Sequence, residues 1–431
     1  MVTHSPDRQA ARVPAADAFT PLLTTAFGSH PPVRIEFWDG SAIGPVDGPG
    51  TIRVQSPDAV RRMMWALGEL GLGRAFVAGD LDIDGDIYRT LRAVQTGADR
   101  DTKLGVRGGL AALRAAASLG VLGRPPAPPP EEARPHGWLH SRGRDAYDIS
   151  HHYDVGNDFY RLVLGPSMTY SCARFTDPGT TTLEEAQSAK HELIARKLGL
   201  RQDMRLLDVG CGWGSLALHA AAAHGVQVVG VTISQEQAAL ARERVAAAGL
   251  GDQVEIRLQD YRDLSGERFD AISSVGMFEH VGRKRMGQYF TTLHGLLGPR
   301  GRLLNHAISS IGGSALGRRS FIGRYVFPDG ELMDVGQVVL AMEDAGFEVR
   351  DVESLREHYA LTLRAWIANL ESHWDEAVAM AGEARARIWR LYMAGSALGF
   401  EDGGVSIHQV LGVVPEVGGA VAMPPTRRDW M

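Results

Sequence analysis

The sequence predicts an α/β protein, with a doubly wound and mostly parallel sheet in its larger C-terminal part and a smaller α+β domain before it. Three observations carry that prediction. Runs with strand character alternate with runs of helical spacing after residue 200, the pattern of βα units whose strands pair in parallel. One of those strands passes straight into a glycine-rich turn and a helix, LLDVGCGWGSLALHAA. A composition break at residues 124–135, RPPAPPPEEARP, places six prolines in twelve residues and reads as an extended, semi-rigid linker. It separates a small domain, 1–123, from a large one, 136–431.

In the small domain VRIEFWDG alternates like a strand and TIRVQS reads as a second one. SPDAVRRMMWALGEL has a Ser cap, an early Pro and helical spacing, which predicts one helix. Asp80, Asp82, Asp84 and Asp86 alternate without the glutamate that a calcium loop needs at its twelfth position, so they read as a solvated turn. A further helix is predicted near IYRTLRAVQ. The Ala- and Leu-rich stretch 100–123, with Arg107 and Arg114, is predicted to be a helix packed on its own domain, with a membrane-surface helix as the alternative. Dimerisation and membrane docking are both open to this domain.

In the large domain MRLLDV, VQVVGVT, QVEIRL, FDAISSV and GRLLNHAI are predicted strands. Helices are predicted between them, near LALHAAAAH, QEQAALARERVAAAG and RKRMGQYFTTLHGLL. Ligands of such sheets bind outside the carboxyl ends of the strands. Asp208 closes the first strand, and Gly210, Gly212 and Gly214 follow it. Their G-x-G-x-G spacing differs from the dinucleotide fingerprint. The second strand ends in Thr232, with Gln237 after it, where a nicotinamide enzyme more often offers a carboxylate. The third ends in QDYRD, where Tyr261 can stack on an adenine.

Bulk properties narrow the function. A net charge of −6 gives no support to a nucleic-acid partner. Cys172 and Cys211 form neither a disulfide framework nor a zinc spacing, which fits a reducing cytoplasm, and no metal is expected. Neither a signal peptide nor an apolar run of spanning length is present, so any membrane contact is expected to be peripheral.

Several motifs in one order resemble the cyclopropane-fatty-acyl-phospholipid synthase family, which includes the mycolic-acid cyclopropane synthases. They are HYDVGNDFY (152–160), TYSCARF (169–175), LLDVGCGWGSLA (206–217), VVGVTISQEQ (228–237), LQDYRD (258–263), SVGMFEHVG (274–282) and LNHAI (304–308). RYVFPDGEL (324–332) and HYALTLRAW (358–366) continue the match. The resemblance implies a Rossmann-like class I methyltransferase domain that takes S-adenosylmethionine. It further implies an acyl-binding insert near 309–332 and an unsaturated phospholipid substrate at the inner face of a membrane.

Carried over motif by motif, Tyr170 and Ser171 would flank the cofactor and Tyr153 would lie on the segment closing over it, with His152. Asp208, Gly210, Gly212, Gly214, Thr232, Gln237, Asp260 and Tyr261 would line it.

The implied chemistry explains the acid at Glu279. Attack of an alkene on a sulfonium methyl leaves a carbocation, and a proton must leave the transferred methyl before a cyclopropane closes. A base must therefore wait within hydrogen-bond reach in a dry tunnel. The family's solution is a bound bicarbonate ion. Its holders map onto Cys172, Glu279, His306, the backbone at Ile308, and Tyr359, with His280 expected to face elsewhere.

Two positions depart from the family: Ser396 stands for a cysteine and Glu401 for an arginine. They keep a methylene- or methyl-branched product open beside the cyclopropane, and a non-catalytic lipid-binding protein as a further reading. Arg318, Arg319 and Arg324, set among aromatics, are candidates for headgroup contact, and a second basic run, RKR, stands at 283–285.

Overall fold

The computed structural model describes residues 13–28, 30–97, 106–134, 144, 155–311, 317 and 320–430. They form two compact units, Met1–Glu132 and Ala133–Met431.

The first unit is built on a four-stranded sheet. Its strands are β1 (Arg34–Phe37), β2 (Ala42–Ile43), β3 (Gly50–Val54) and β4 (Leu81–Gly85), in the order β2-β1-β3-β4. Ile35, Phe37, Val54, Leu81 and Ile83 are buried, and Phe19 of helix Ala15–Phe27 stacks on Phe37 at 5.4 Å. Two expectations fail here. The alternating aspartates are not a turn: Asp82 and Asp84 lie on β4, whose alternate residues Leu81 and Ile83 face the core. The single helix after Ser56 is two, Pro57–Trp65 and Glu69–Val77, because Gly68 takes a left-handed φ of +88° that no helix continues through. Helix Val106–Ser118 packs on Ala15–Phe27 of the same unit. The proline-rich segment is fastened to this unit as far as Glu132. Arg62 donates to the Ala127 carbonyl at 2.7 Å, and Arg74 grips Glu132 through two 2.7 Å bonds.

The second unit holds β5 (Arg205–Val209), β6 (Gln227–Thr232), β7 (Val254–Leu258), β8 (Phe269–Val275), β9 (Leu297–Ser310), β10 (Met333–Asp334), β11 (Glu348–Ser354) and β12 (Val405–Val413). The order is β11-β12-β9-β8-β5-β6-β7, with β10 paired to β9. Every pairing is parallel except those that β12 makes with its two neighbours. The mostly parallel sheet is the one predicted. β9 begins earlier than GRLLNHAI, at Leu297.

The chain leaves β5 for β6 and β7 on one side and returns to β8 on the other. That reversal opens a crevice at the carboxyl ends of β5 and β8, where doubly wound sheets bind ligands. Two helices that pack on each other, Arg356–Ser372 and Glu383–Glu401, complete the unit.

Helix Leu183–Leu198 is held to β11 by a buried cation. The Lys197 ammonium lies 2.9 Å from Asp351, and both side chains are about 95% buried. Lys197 also pairs with Glu353 at 2.5 Å, and Asp351 also pairs with the half-exposed Arg427, so removing the ammonium leaves a buried carboxylate with one partner in place of two. Replacing Lys197 with Met is therefore expected to lower unfolding free energy by about 1–3 kcal/mol, below the cost of a fully stranded charge because Arg427 remains, measured by urea denaturation.

Candidate active site

The site begins at the end of β5. Gly210, Gly212 and Gly214 all have left-handed φ angles, of 75°, 55° and 79°. Only glycine takes such a run at little cost. A Cβ on Gly210 would meet Met277 at 3.0 Å, while one on Gly212 would point into open space. The loop thus exposes bare backbone to a cavity at the crevice. Asp208, Thr232, Gln237, Asp260, Tyr261, Tyr170 and Ser171 line that cavity with the loop. These are the predicted cofactor residues; Gly214 instead caps helix Ser215–His224, and Tyr153 and His152 lie outside the described residues.

Each side chain is fixed. Asp208 accepts from Ser273 of β8 at 2.8 Å, and burial pushes its pKa up to about 6. Thr232 donates to Gln237 at 2.8 Å, across the cap of the next helix. Asp260 holds its own turn, accepting from the Arg262 backbone at 2.9 Å. Nothing in the local sequence marks Lys190 as a site residue. It is fully buried, lines the cavity and donates to Ser171 at 2.9 Å, and burial pulls its pKa down to about 7.

Tyr170, Ser171, Gly276 and His280 also line a second cavity, so the two adjoin there. Tyr170 is boxed by aromatic rings: Trp366 at 5.2 Å, Trp389 at 5.6 Å and Tyr160 at 5.8 Å. The second cavity is mostly apolar. Its walls include Ile322, Phe327 and Leu332 from the insert, with Leu363, Phe400 and Ile407 from later elements. His280 was expected to face away. Instead it lines both cavities, its ring edge-on to Phe327 at 6.1 Å.

Two polar groups face this apolar space. Glu279 Oε1 accepts from the Ile308 N–H at 2.7 Å, while Oε2 is buried without a partner. The stem keeps some solvent exposure, yet burial of the carboxyl pushes its pKa up to about 7. His306 is fully buried. Its Nδ1 faces the Gln409 amide nitrogen at 3.1 Å, and Nε2 has no partner. Burial holds its pKa well below the ordinary histidine value, so the ring is neutral. With the amide donating to Nδ1, the proton sits on Nε2 as an unused donor.

Four of the five predicted anion holders, Glu279, His306, Ile308 and Tyr359, line this one cavity. Cys172 is not among its lining residues. Its thiol sits near the carbonyls of Ala173 and Leu355, at 3.2 and 3.6 Å, and burial keeps it protonated. The Ile308 N–H is engaged by Glu279. Ser396 lines the cavity, but Glu401 does not: its carboxylate pairs with Arg364 at 2.5 Å. Arg324 lines neither cavity, and its backbone carbonyl accepts from Ala133 at 2.8 Å. Arg318 and Arg319 lie outside the described residues.

Comparison with known proteins gives a consistent picture. The family model "Mycolic acid cyclopropane synthetase" matches residues 140–410. A probable fatty acid methyltransferase of Mycobacterium tuberculosis is 42% identical over 419 residues, covering 95% of this chain and 96% of that protein. A cyclopropane-fatty-acyl-phospholipid synthase of Escherichia coli is 35% identical over 363 residues, covering 84% and 87%. The crystal structure of a mycolic acid cyclopropane synthase complexed with SAH and CTAB superposes with a TM-score of 0.59 at 35% identity, over 62% of this chain and 98% of that one. The predicted fold, a Rossmann-like class I methyltransferase domain, is the one observed.

The raised Glu279 pKa fixes a pH dependence. The unfolded carboxyl releases its proton near 4.5, the folded one only near 7. Stability from this group is complete below 4.5 and is lost as the pH rises through about 7. Replacing Glu279 with Gln removes that loss. The variant is expected to gain on the wild type between these pH values, by up to roughly 3 kcal/mol, in denaturant titrations at pH 5 and pH 8.

Proposed function

Because the chain belongs to the mycolic acid cyclopropane synthetase family, we propose that it adds a methylene from S-adenosylmethionine across the cis double bond of an unsaturated phospholipid acyl chain, closing a cyclopropane ring. The observation that carries this reading is a pair of buried polar atoms without partners, Glu279 Oε2 and His306 Nε2, on two residues that line an apolar cavity adjoining the glycine-loop cavity. A methyltransferase acting on oxygen or nitrogen has no need of that pair.

The glycine backbone, Asp208, Gln237 and Tyr261 suit an adenosine cofactor with an amino-acid tail, and the bound cofactor supplies an electrophilic methyl. Apolar walls from Ile322, Phe327, Leu332 and Leu363 suit an alkyl chain and keep water out. The aromatic box around Tyr170 lies where the two cavities meet, and its ring faces favour positive charge. The His306 Nε2–H and the neutral Glu279 carboxyl are donors that suit a small anion. Bicarbonate, when bound, would supply the base that accepts the proton lost on ring closure. Tyr359, on the same wall, adds a hydroxyl. Cys172, the fifth holder that the resemblance implies, is buried but is not among the residues lining this cavity.

A second product has support from the relative described as a probable fatty acid methyltransferase and from Ser396 on the cavity wall. It is a methylene-branched chain, made when a hydride moves from the methylated carbon to the neighbouring cationic carbon before the transferred methyl loses its proton; a saturated methyl branch would then need a separate hydride-donating reductant. No described helix is long and apolar enough to cross a membrane, and we place the enzyme peripherally on the cytoplasmic face.

Expression in a host fed oleate and methyl-deuterated methionine, followed by fatty-acid mass spectrometry, tests the product. A cyclopropane retains two deuteriums from the methyl and resists mild hydrogenation. A methylene product becomes a methyl branch on reduction, and the absence of any added carbon would refute both. In purified protein, replacing His306 with Leu is expected to cut turnover at least ~100-fold while S-adenosylmethionine binding, measured calorimetrically, stays unchanged.

A further inference from the structure

We infer that Glu192, His219 and His224 form a divalent-metal site suited to zinc. Among the described residues, this is the group of three histidine, cysteine or carboxylate side chains whose ligand atoms all lie within 4.8 Å of one another. Glu192 Oε2 is 3.3 Å from His219 Nε2 and 3.0 Å from His224 Nε2. Tetrahedral zinc with bonds of about 2.0–2.2 Å sets its ligand atoms roughly 3.3–3.5 Å apart, close to both carboxylate–imidazole distances. Two imidazoles and one carboxylate are the donor set of many open zinc sites, which leave a fourth position for water.

The surroundings suit the role. The side chains are 32%, 19% and 19% exposed, enough for an ion to enter and for water to complete the shell. Arg196 donates to Glu192 Oε1 at 2.7 Å and holds the carboxylate with Oε2 toward the histidines.

Placement gives the ion something to do. Glu192 lies on helix Leu183–Leu198, which also carries Lys190 of the cofactor cavity. Both histidines lie on helix Ser215–His224, which follows the glycine loop. In the chain, β5 and that loop run between the two helices, so a metal bridging them would clasp the segment that bears Asp208, Gly210 and Gly212. Glu192 and the histidines stand on separate helices, so no contiguous ligand spacing marks the site in the sequence.

The test uses full-length protein with any affinity tag removed, stripped with chelator and titrated with Zn²⁺ against a chromophoric competitor. The expected result is about one equivalent bound with Kd tighter than about 1 μM. Binding should weaken more than ~100-fold when His219 and His224 are both replaced by Ala, beyond the 10–100-fold that outer-shell changes cause. Zn²⁺ should also raise the melting temperature of the wild type and not of the variant. If the double variant does not fold, Glu192→Gln and the absorption of bound Co²⁺ carry the same comparison. Absence of binding tighter than about 10 μM, or equal binding in wild type and variants, overturns the proposal.

Discussion

A buried acid and a buried imidazole, each tied down on one side and left open on the other, constrain the rest of this site. Glu279 is held by the Ile308 N–H and His306 by Gln409. Their remaining atoms, Oε2 and Nε2, are buried without partners, on residues that line the apolar cavity. Leaving such groups unsatisfied costs about 1–3 kcal/mol each, and folds tolerate that where the atoms have a task. The sheet provides the rigidity. Val275, His306 and Gln409 stand side by side across β8, β9 and β12, so ladder hydrogen bonds fix the imidazole and its amide partner together.

The cofactor side of the crevice follows a different logic. There the chain removes side chains rather than adding them, so that backbone can approach a ligand. Three left-handed glycines require that of the loop, and Met277 closes the space behind the first. The polar residues around the loop are already paired within the protein, Asp208 with Ser273 and Thr232 with Gln237. The cavity is shaped before any ligand arrives, a form of preorganisation that lowers the entropy lost on binding.

Much of this was legible in the sequence, for identifiable reasons. The strands β5 to β9 are apolar runs bounded by turn signals, and the glycine loop follows one of them directly. Glu279 stands at a strand end, where the fold puts chemistry, but its role came only with the family resemblance. Other features stayed hidden because they depend on pairing at long range. Gln409 is 103 residues from His306, and nothing local marks it as its partner. Lys190 sits in a polar-looking helix and reads as a solvated charge until the fold buries it. The aspartates of β4 were misread because their charge outweighed their period-two spacing, the stronger signal for a strand. Gly68 broke a helix that the hydrophobic spacing carried straight through. Cys172 shared the family motif, yet the thiol's orientation toward buried carbonyls is invisible in a motif.

The central claim is that Glu279 is a carboxylic acid, held neutral by burial, in the neutral range where ordinary glutamates are ionised. Infrared difference spectroscopy of the wild type against Glu279→Gln reads this directly. The account predicts a protonated carboxyl band in the wild type at pH 6, absent from the variant, that fades as the pH is raised through about 7. A wild-type spectrum showing only ionised carboxylate at pH 6 would contradict it.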